Sequence, residues 1–131
     1  MQLVRSRSDA PEVKEFLQAI PFSRLFVTDF AINSIALNMA RRGQLDEFPL
    51  FLELSTIGTE IEIVRLYVDE LAVVVAATSA HGLDYDDAYQ YAAAEINGLR
   101  IVSFDADFDR TPAGRLTPAQ ALQLFKDEAN R

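Results

Sequence analysis

The sequence contains no cysteine and only one histidine among its 131 residues. The lack of cysteine excludes a disulfide framework and thiolate metal sites, and it is compatible with a reducing cytoplasm, where we expect the protein to act. The single histidine disfavours a Ser-His-Asp hydrolase triad. We interpret His81 as a helix C-terminal residue beside Gly82, where the helix dipole favours a positive charge. The sequence also lacks a glycine-rich phosphate loop.

Long apolar runs and positive charge are scarce as well. The longest apolar run, residues 71–77, is far too short to span a bilayer, and the N-terminal MQLVRSRSD lacks the apolar core of a signal peptide. Twelve basic residues against 20 acidic ones give a net charge of −8. Such a surface disfavours broad electrostatic binding of nucleic acid and favours a basic partner, although a bound divalent cation can reverse this in one cleft.

The remaining composition predicts one globular domain, residues 1–131, with alternating strands and helices. Half of the residues are hydrophobic and 24% are charged. This alternation predicts a parallel sheet of about four strands with helices on both faces, and ligands bind such sheets at the carboxyl ends of the strands. The predicted helices cover residues 11–20, 29–42, 44–54, 68–80, 84–97 and 117–127, and the predicted strands cover 25–27, 59–66 and 100–104.

Two acidic stretches stand out. In IVSFDADFDR, residues 101–110, Asp105, Asp107 and Asp109 occupy every second position, which in an extended chain would place them on one face. Because like charges repel, this stretch is either a solvated turn with Asx hydrogen bonds or a place where something positive sits among the acids.

The second acidic stretch is LDYDDAYQY, residues 83–91. Asp84 is a candidate helix N-cap, with Asp87 as the acid of a capping pair. Asp86 and Asp87 together bring more charge into one helical turn than the helix dipole uses. Hard divalent cations prefer several oxygen ligands, and two acidic ends that meet at a sheet edge supply them. Asp29, which also follows a predicted strand, is expected at the same edge.

The motif GLDYDDAYQYAAAEINGLRIVSFDADFDR resembles the C-terminal half of PIN domains, especially the VapC-type toxins, and LFVTDFAINSIALNMARRGQLDEF resembles the middle of the same family. The resemblance covers about residues 11–120. It implies a three-layer α/β/α fold with a parallel central sheet. It also implies a metal-dependent ribonuclease in which Mg²⁺ or Mn²⁺ activates water against a phosphodiester, with RNA as substrate and an antitoxin as partner.

Some residues match the family's acids one by one. Asp87 matches the acid at the head of the small-residue helix, Asp105 matches the acid after the following strand, and Asp107 is its usual companion. The resemblance therefore implies that these three are catalytic residues and metal ligands. Asp86, an extra acid, and Asp29 are further candidate ligands.

Other family features are not present. PIN domains open with a strand that ends in Asp-Thr-Asn, and this Asp is a metal ligand, whereas this chain begins MQLVRSRSDAPEV. Either the sequence starts downstream of that strand or the site has decayed. Residues 2–4 would then be a shortened central strand, with Arg5 near the place of the lost acid. The family also has a Glu in the helix after the second strand, where the register here puts Asn33 or Ser34. Asp29 is the nearest carboxylate.

Two functions from different classes remain open. The first is a PIN-like ribonuclease, the toxin of a toxin–antitoxin pair, with an incomplete acidic site. The second is a non-catalytic PIN-fold protein that acts as an interaction or dimerisation domain. The second and third predicted helices carry many large apolar residues, through which we expect a homodimer. These residues are Phe30, Ile35, Leu37, Met39, Phe48 and Phe51.

Overall fold

The computed structural model describes residues 2–3 and 11–130, with side chains from Glu15 onward. Four strands form one sheet in the order β3-β2-β1-β4, and every neighbouring pair is parallel. The parallel sheet confirms the predicted α/β class. The strands are β1, Gln2–Leu3; β2, Phe26–Thr28; β3, Glu62–Val64; and β4, Ile101–Val102.

The shortest strands lie at the middle and at one side of the sheet. In β1, Gln2 is paired with Phe26 of β2 on one side and with Ile101 of β4 on the other. The prediction of a shortened central strand between the strands of residues 25–27 and 100–104 is therefore confirmed, whereas Arg5 lies outside the described residues. Leu116 covers the outer side of β4, because its amide donates to the Ile101 carbonyl at 2.8 Å.

In the described residues, six α-helices connect and flank the strands, and they match the predicted segments to within a few residues. The third one is preceded by a 3-10 turn, Leu45–Glu47, and Pro49 lies in its first helical turn, where the missing amide costs little. No helix in the described part of the chain is long and apolar enough to cross a bilayer. The helices are α1, Pro11–Ala19; α2, Asp29–Arg41; α3, Phe48–Ser55; α4, Leu71–His81; α5, Tyr85–Asn97; and α6, Pro118–Ala129.

Side-chain caps fix where two of these helices begin. The Thr28 hydroxyl accepts a hydrogen bond from the Ala31 amide at 3.0 Å and starts α2. Thr117 and Gln120 form a reciprocal capping box at the start of α6, in front of Pro118. Helix α5 differs from the prediction. Asp84 occupies its N-cap position, but its side chain accepts no capping hydrogen bond, so the predicted capping pair is not formed there.

The sheet is covered on both faces because adjacent residues of β4 point into different cores. Val102 packs with Phe16 of α1 and with Leu122 of α6. Ile101 packs with Ala94 of α5 and with a buried phenylalanine that follows the strand. A third cluster joins α4 and α5 to the end of β3. These contacts give three layers, helix, sheet and helix.

One buried tyrosine ties three of these elements together. The Tyr89 hydroxyl of α5 donates to Asp29 Oδ1 at the start of α2, at 2.9 Å, and accepts a hydrogen bond from the Leu66 amide after β3, at 3.0 Å. Burial raises the pKa of Tyr89, and the neighbouring Asp29 carboxylate raises it further, whereas the Leu66 amide opposes the shift.

We expect Tyr89→Phe to lower the free energy of unfolding by about 1–3 kcal/mol, because the buried Leu66 amide would lose its acceptor. Urea unfolding measures the loss. Tyr85→Phe, at an exposed tyrosine of the same helix, is the matched control and should cost much less.

The pH dependence checks the same contact. The pKa of Tyr89 is raised in the folded state, so the neutral phenol stabilises the fold fully below about pH 10, the ordinary tyrosine pKa, and this stability is lost as the pH rises through the raised pKa. The difference in stability between wild type and Tyr89→Phe should therefore shrink above about pH 10. A difference that is constant with pH contradicts the assignment.

Candidate metal centre

The first acidic segment opens helix α5. Asp86 and Asp87 lie in its first turn, where the helix dipole stabilises negative charge. Asp87 is only 3% exposed. The Asp87 amide donates to Asp86 Oδ1 at 2.9 Å. This hydrogen bond holds the Asp86 carboxylate beside the backbone of Asp87.

The second acidic segment follows β4, and it is not the extended chain that its alternating aspartates suggest. Asp105 caps a short 3-10 helix, Ala106–Arg110, by accepting the Asp107 amide at 2.9 Å. Ser103 in turn accepts the Asp105 amide at 3.0 Å. The strand predicted over residues 100–104 ends at Val102, because these side-chain hydrogen bonds replace backbone hydrogen bonds to a neighbouring strand. The prediction of a turn with Asx hydrogen bonds is confirmed.

The two segments meet at one place. Asp87, Asp105 and Asp107 each offer one carboxylate oxygen, and the three oxygens lie within 4.8 Å of one another. We call these three residues the acid cluster. Asp86 and Asp84 form a second trio with Asp87 on the same criterion.

Asp29, the remaining candidate ligand, is placed differently. Among the described residues it belongs to neither trio. Its Oδ1 accepts hydrogen bonds from Tyr89 and from the Phe30 amide, which gives this carboxylate a part in the fold.

The donors of the acid cluster fit a hard divalent cation. An octahedral Mg²⁺ holds oxygens at roughly 2.1 Å, so its ligands lie about 3 Å apart when adjacent and about 4.2 Å apart when opposite. The three carboxylate oxygens lie within 4.8 Å of one another, a limit slightly wider than the larger of these two separations. Asp105 and Asp107 are partly exposed, which leaves access for the waters and phosphate oxygens that Mg²⁺ usually keeps.

Two arginines supply positive charge beside these acids. Arg110 Nη2 donates to Asp107 Oδ1 at 3.0 Å. Arg115 pairs with Asp109 at 3.3 Å and donates from Nη1 to the Ser103 carbonyl at 3.1 Å. Both alternatives for IVSFDADFDR therefore hold in part, since a turn forms and cationic side chains lie among the aspartates. Asp109 takes no part in the acid cluster.

A cleft opens beside Asp87, between α2 and α5. Of the two residues at the place of the family's helix Glu, Ser34 lines this cleft, whereas Asn33 is exposed and donates from Nδ2 to the Asp29 carbonyl at 3.1 Å. Asn38 also lines it and was not predicted, although its four-residue spacing from Ser34 on one helix face would have indicated it. The cleft is lined by Phe30, Ala31, Ser34, Ile35, Asn38, Asp86, Asp87 and Gln90.

A buried hydrogen bond joins two residues next to this cleft. The Thr28 hydroxyl donates to Gln90 Oε1 at 2.8 Å, and both residues are buried. This bond fixes the end of β2 against α5 one turn after Asp87. Neither residue was predicted to support the site, because the bond joins positions that are far apart in the sequence.

Comparison with known families and structures identifies the class of fold. The family model described as PIN domain matches residues 1–114. The chain therefore belongs to the PIN domain family. The resemblance stated from the sequence is confirmed, and the match includes the shortened first strand. No match was found among curated proteins.

Three solved structures share the fold at low sequence identity. A toxin–antitoxin complex from Klebsiella pneumoniae is 19% identical, with a TM-score of 0.65 over 85% of this chain and 87% of that chain. The structure of FitAB bound to an IR36 DNA fragment is 13% identical, with a TM-score of 0.70 over 91% and 96%. FitAcB from Neisseria gonorrhoeae is 16% identical, with a TM-score of 0.68 over 90% and 98%.

Phe108 anchors the second acidic segment, and we expect its truncation to loosen the acid cluster. Phe108 is completely buried and packs on Ala94 and Ile101. Phe108→Ala should lower the free energy of unfolding by about 3–5 kcal/mol, as is usual for a core phenylalanine. Urea unfolding measures this cost. Phe104→Ala, at a partly buried phenylalanine of the same segment, is the control, and an equal cost for both variants contradicts the anchoring role.

Proposed function

We propose that this PIN domain is a divalent-metal-dependent endoribonuclease of the toxin type, with an incomplete acidic site. The observation that carries the proposal is the meeting of Asp87, Asp105 and Asp107, which come from two separate elements and fit a hard cation.

In this proposal Asp87, Asp105 and Asp107 hold Mg²⁺ or Mn²⁺, and Asp86 supports them from the adjoining trio. The bound cation would lower the pKa of water and offset the negative charge that develops on the phosphate. The chain's own residues orient the substrate. Ser34 and Asn38 offer neutral hydrogen-bonding groups beside Asp87, and they are suited to a phosphate or ribose oxygen because they add no repelling charge.

RNA is the substrate class that family membership favours, and the cleft agrees with it. Phe30 and Ile35 give the cleft an apolar wall against which a base can pack, next to the acids that would face the phosphate. The net charge of −8 opposes wide electrostatic contact with a nucleic acid, so we expect a short single-stranded segment to bind locally, through the metal.

The acidic set has fewer members than a full PIN site. Asn33 and Ser34, the two residues at the place of the family's Glu, are neutral, and Asp29 is engaged by Tyr89. Metal affinity rises with the number of charged ligands, so we expect weak metal binding and slow or absent cleavage. The non-catalytic alternative is favoured if metal binding is lost altogether.

An apolar surface on α2, the 3-10 turn and α3 supplies a place for a protein partner. We call it the α2–α3 patch, and it consists of exposed residues of α2, the 3-10 turn, α3 and the turn after α3, namely Leu37, Leu45, Leu50, Leu54 and Ile57. Of the six residues predicted for this surface only Leu37 is exposed, and the other five are half-buried, namely Phe30, Ile35, Met39, Phe48 and Phe51. Patches of this kind commonly mark protein interfaces. An antitoxin is one proposed occupant, which the toxin–antitoxin structures of the same fold support. A second copy of the chain is the other. Two further statements stay predictions: that residues 1–131 form a single domain, and that the protein acts in the cytoplasm.

We expect Mn²⁺ to raise the melting temperature, because a ligand that binds only the folded state stabilises it. Asp87→Asn and Asp105→Asn should each abolish this response and any RNA cleavage. Asp46→Asn, which removes the same charge from the turn before α3, should keep both. Scanning calorimetry with and without millimolar Mn²⁺ is the measurement, followed by an RNA cleavage assay.

Two results would count against the proposed site. An unchanged melting temperature and no calorimetric binding at millimolar Mn²⁺ would leave the aspartates as relics and favour the interaction domain. Cleavage of RNA that survives Asp87→Asn would place the chemistry elsewhere.

We expect a homodimer through the α2–α3 patch at tens of micromolar protein. Leu54 is 71% exposed. Leu54→Asp should convert the dimer to a monomer, because a charge in an apolar interface cannot be desolvated without cost. Val68→Asp, at an exposed apolar residue outside the patch, is the control. Sedimentation velocity measures both, and a wild-type monomer at these concentrations contradicts the dimer and leaves the patch to a different partner.

A further inference from the structure

Arg110 contacts both chain segments that bear the acid cluster. Its Nη2 donates to Asp107 Oδ1 at 3.0 Å, within the 3-10 helix. Its Nη1 donates to the Gly82 carbonyl at 2.7 Å. Gly82 ends α4 with a positive φ of 64° and leads directly into the first acidic segment. One guanidinium thus joins two segments that are 28 residues apart.

The contact with Gly82 distinguishes this arginine from an ordinary surface ion pair. Arg110 and Asp107 are both about half exposed, and a pair of that kind on its own contributes little to stability. The Gly82 carbonyl adds a second acceptor, and it lies at a helix C-terminus, where partial negative charge favours a cation. The rigid fork of arginine suits two acceptors on different segments, which a single ammonium group serves less well.

We propose that Arg110 is a positioning residue that holds the two acid-bearing segments together by bridging the Gly82 carbonyl and the Asp107 carboxylate. Asp87 lies in the first turn after Gly82 and the α4–α5 connection, and Asp107 lies one turn before Arg110. The bridge therefore sets how far the start of α5 lies from the 3-10 helix. Its purpose rests on the proposed metal site, but the bridge itself forms without metal.

Charge and geometry have to be separated in the test. Removing Arg110 takes away a positive charge, which by itself favours a bound cation, and also removes the bridge, which disfavours it. Arg110→Lys keeps the charge and changes only the fork, so it isolates geometry. Arg110→Gln removes both. Arg100→Gln is the matched control, because Arg100 is exposed and precedes β4 at the end of the strand opposite to the acids.

The first experiment is amide hydrogen exchange of the metal-free protein in EDTA. The Gly82 amide bonds to the end of α4, the Ala88 amide to the start of α5 and the Phe108 amide to the start of the 3-10 helix, and the Ala121 amide in α6 is a remote reference. We expect exchange at the first three to rise about tenfold in Arg110→Gln and to rise less in Arg110→Lys, with no change at Ala121 and none in Arg100→Gln. Unchanged exchange in both segments, or an equal rise at Ala121, overturns the bridge.

The second experiment is calorimetric titration with Mn²⁺ alone. We expect Arg110→Lys to weaken binding several-fold relative to wild type, whereas Arg100→Gln binds as wild type does. If wild type binds Mn²⁺ and Arg110→Lys binds it equally well, the positioning role is overturned, while the metal site stands. Absence of binding in wild type removes the metal site, and the exchange experiment then still decides whether Arg110 joins the segments.

Discussion

The burial of Asp87 beside two further carboxylates is the constraint on which the site depends. A charge at 3% exposure has lost most of its water, and nearby negative charge adds repulsion. Several local interactions reduce this cost. The first turn of α5 gives Asp87 the favourable end of a helix dipole, Asp86 accepts its amide, and Arg110 neutralises Asp107 at the rim. In the proposed function, a divalent cation would bring two further positive charges to the point where the carboxylates converge.

The fold was predictable from the sequence because its signals are local. Apolar strands, a threonine cap at Thr28 and the Thr117-Pro118 start lie within a few residues of the elements they define. The order of elements then leaves few topologies for a parallel sheet. Strand polarity predicted that Asp29 and Asp105 lie at one edge of the sheet, and the resemblance to PIN domains added Asp87 to the same site.

Local patterns misled at two places. The alternation of Asp105, Asp107 and Asp109 is typical of an extended chain, but the Ser103 and Asp105 side chains accept the amides two residues on, and a 3-10 helix follows Asp105. Asp84 matched a cap by position, and yet its carboxylate belongs to an acidic trio and makes no cap. In the first case side chains compete with a neighbouring strand for the backbone amides, and the sequence does not show which of the two wins.

Long-range contacts account for the rest of what was not predicted. Tyr89 with Asp29, Thr28 with Gln90, and Arg110 with Gly82 join positions that no local pattern connects. Each needs the folded backbone to bring the partners together, and each changes the role of a residue. Asp29 is the clearest example, because the sequence offered it as a substitute ligand and the structure engages it with a tyrosine hydroxyl.

The two-residue strand β1 has a consequence for how the chain acquires its fold during synthesis. Its neighbours are β2, which is made early, and β4, which is made much later. Closing a contact between distant parts of a chain is slow, because loop entropy must be lost before the contact contributes. The edge of β1 that pairs with β4 therefore stays unpaired until β4 has emerged from the ribosome. Since Asp105 and Asp107 follow β4 directly, the acid cluster cannot assemble before this step.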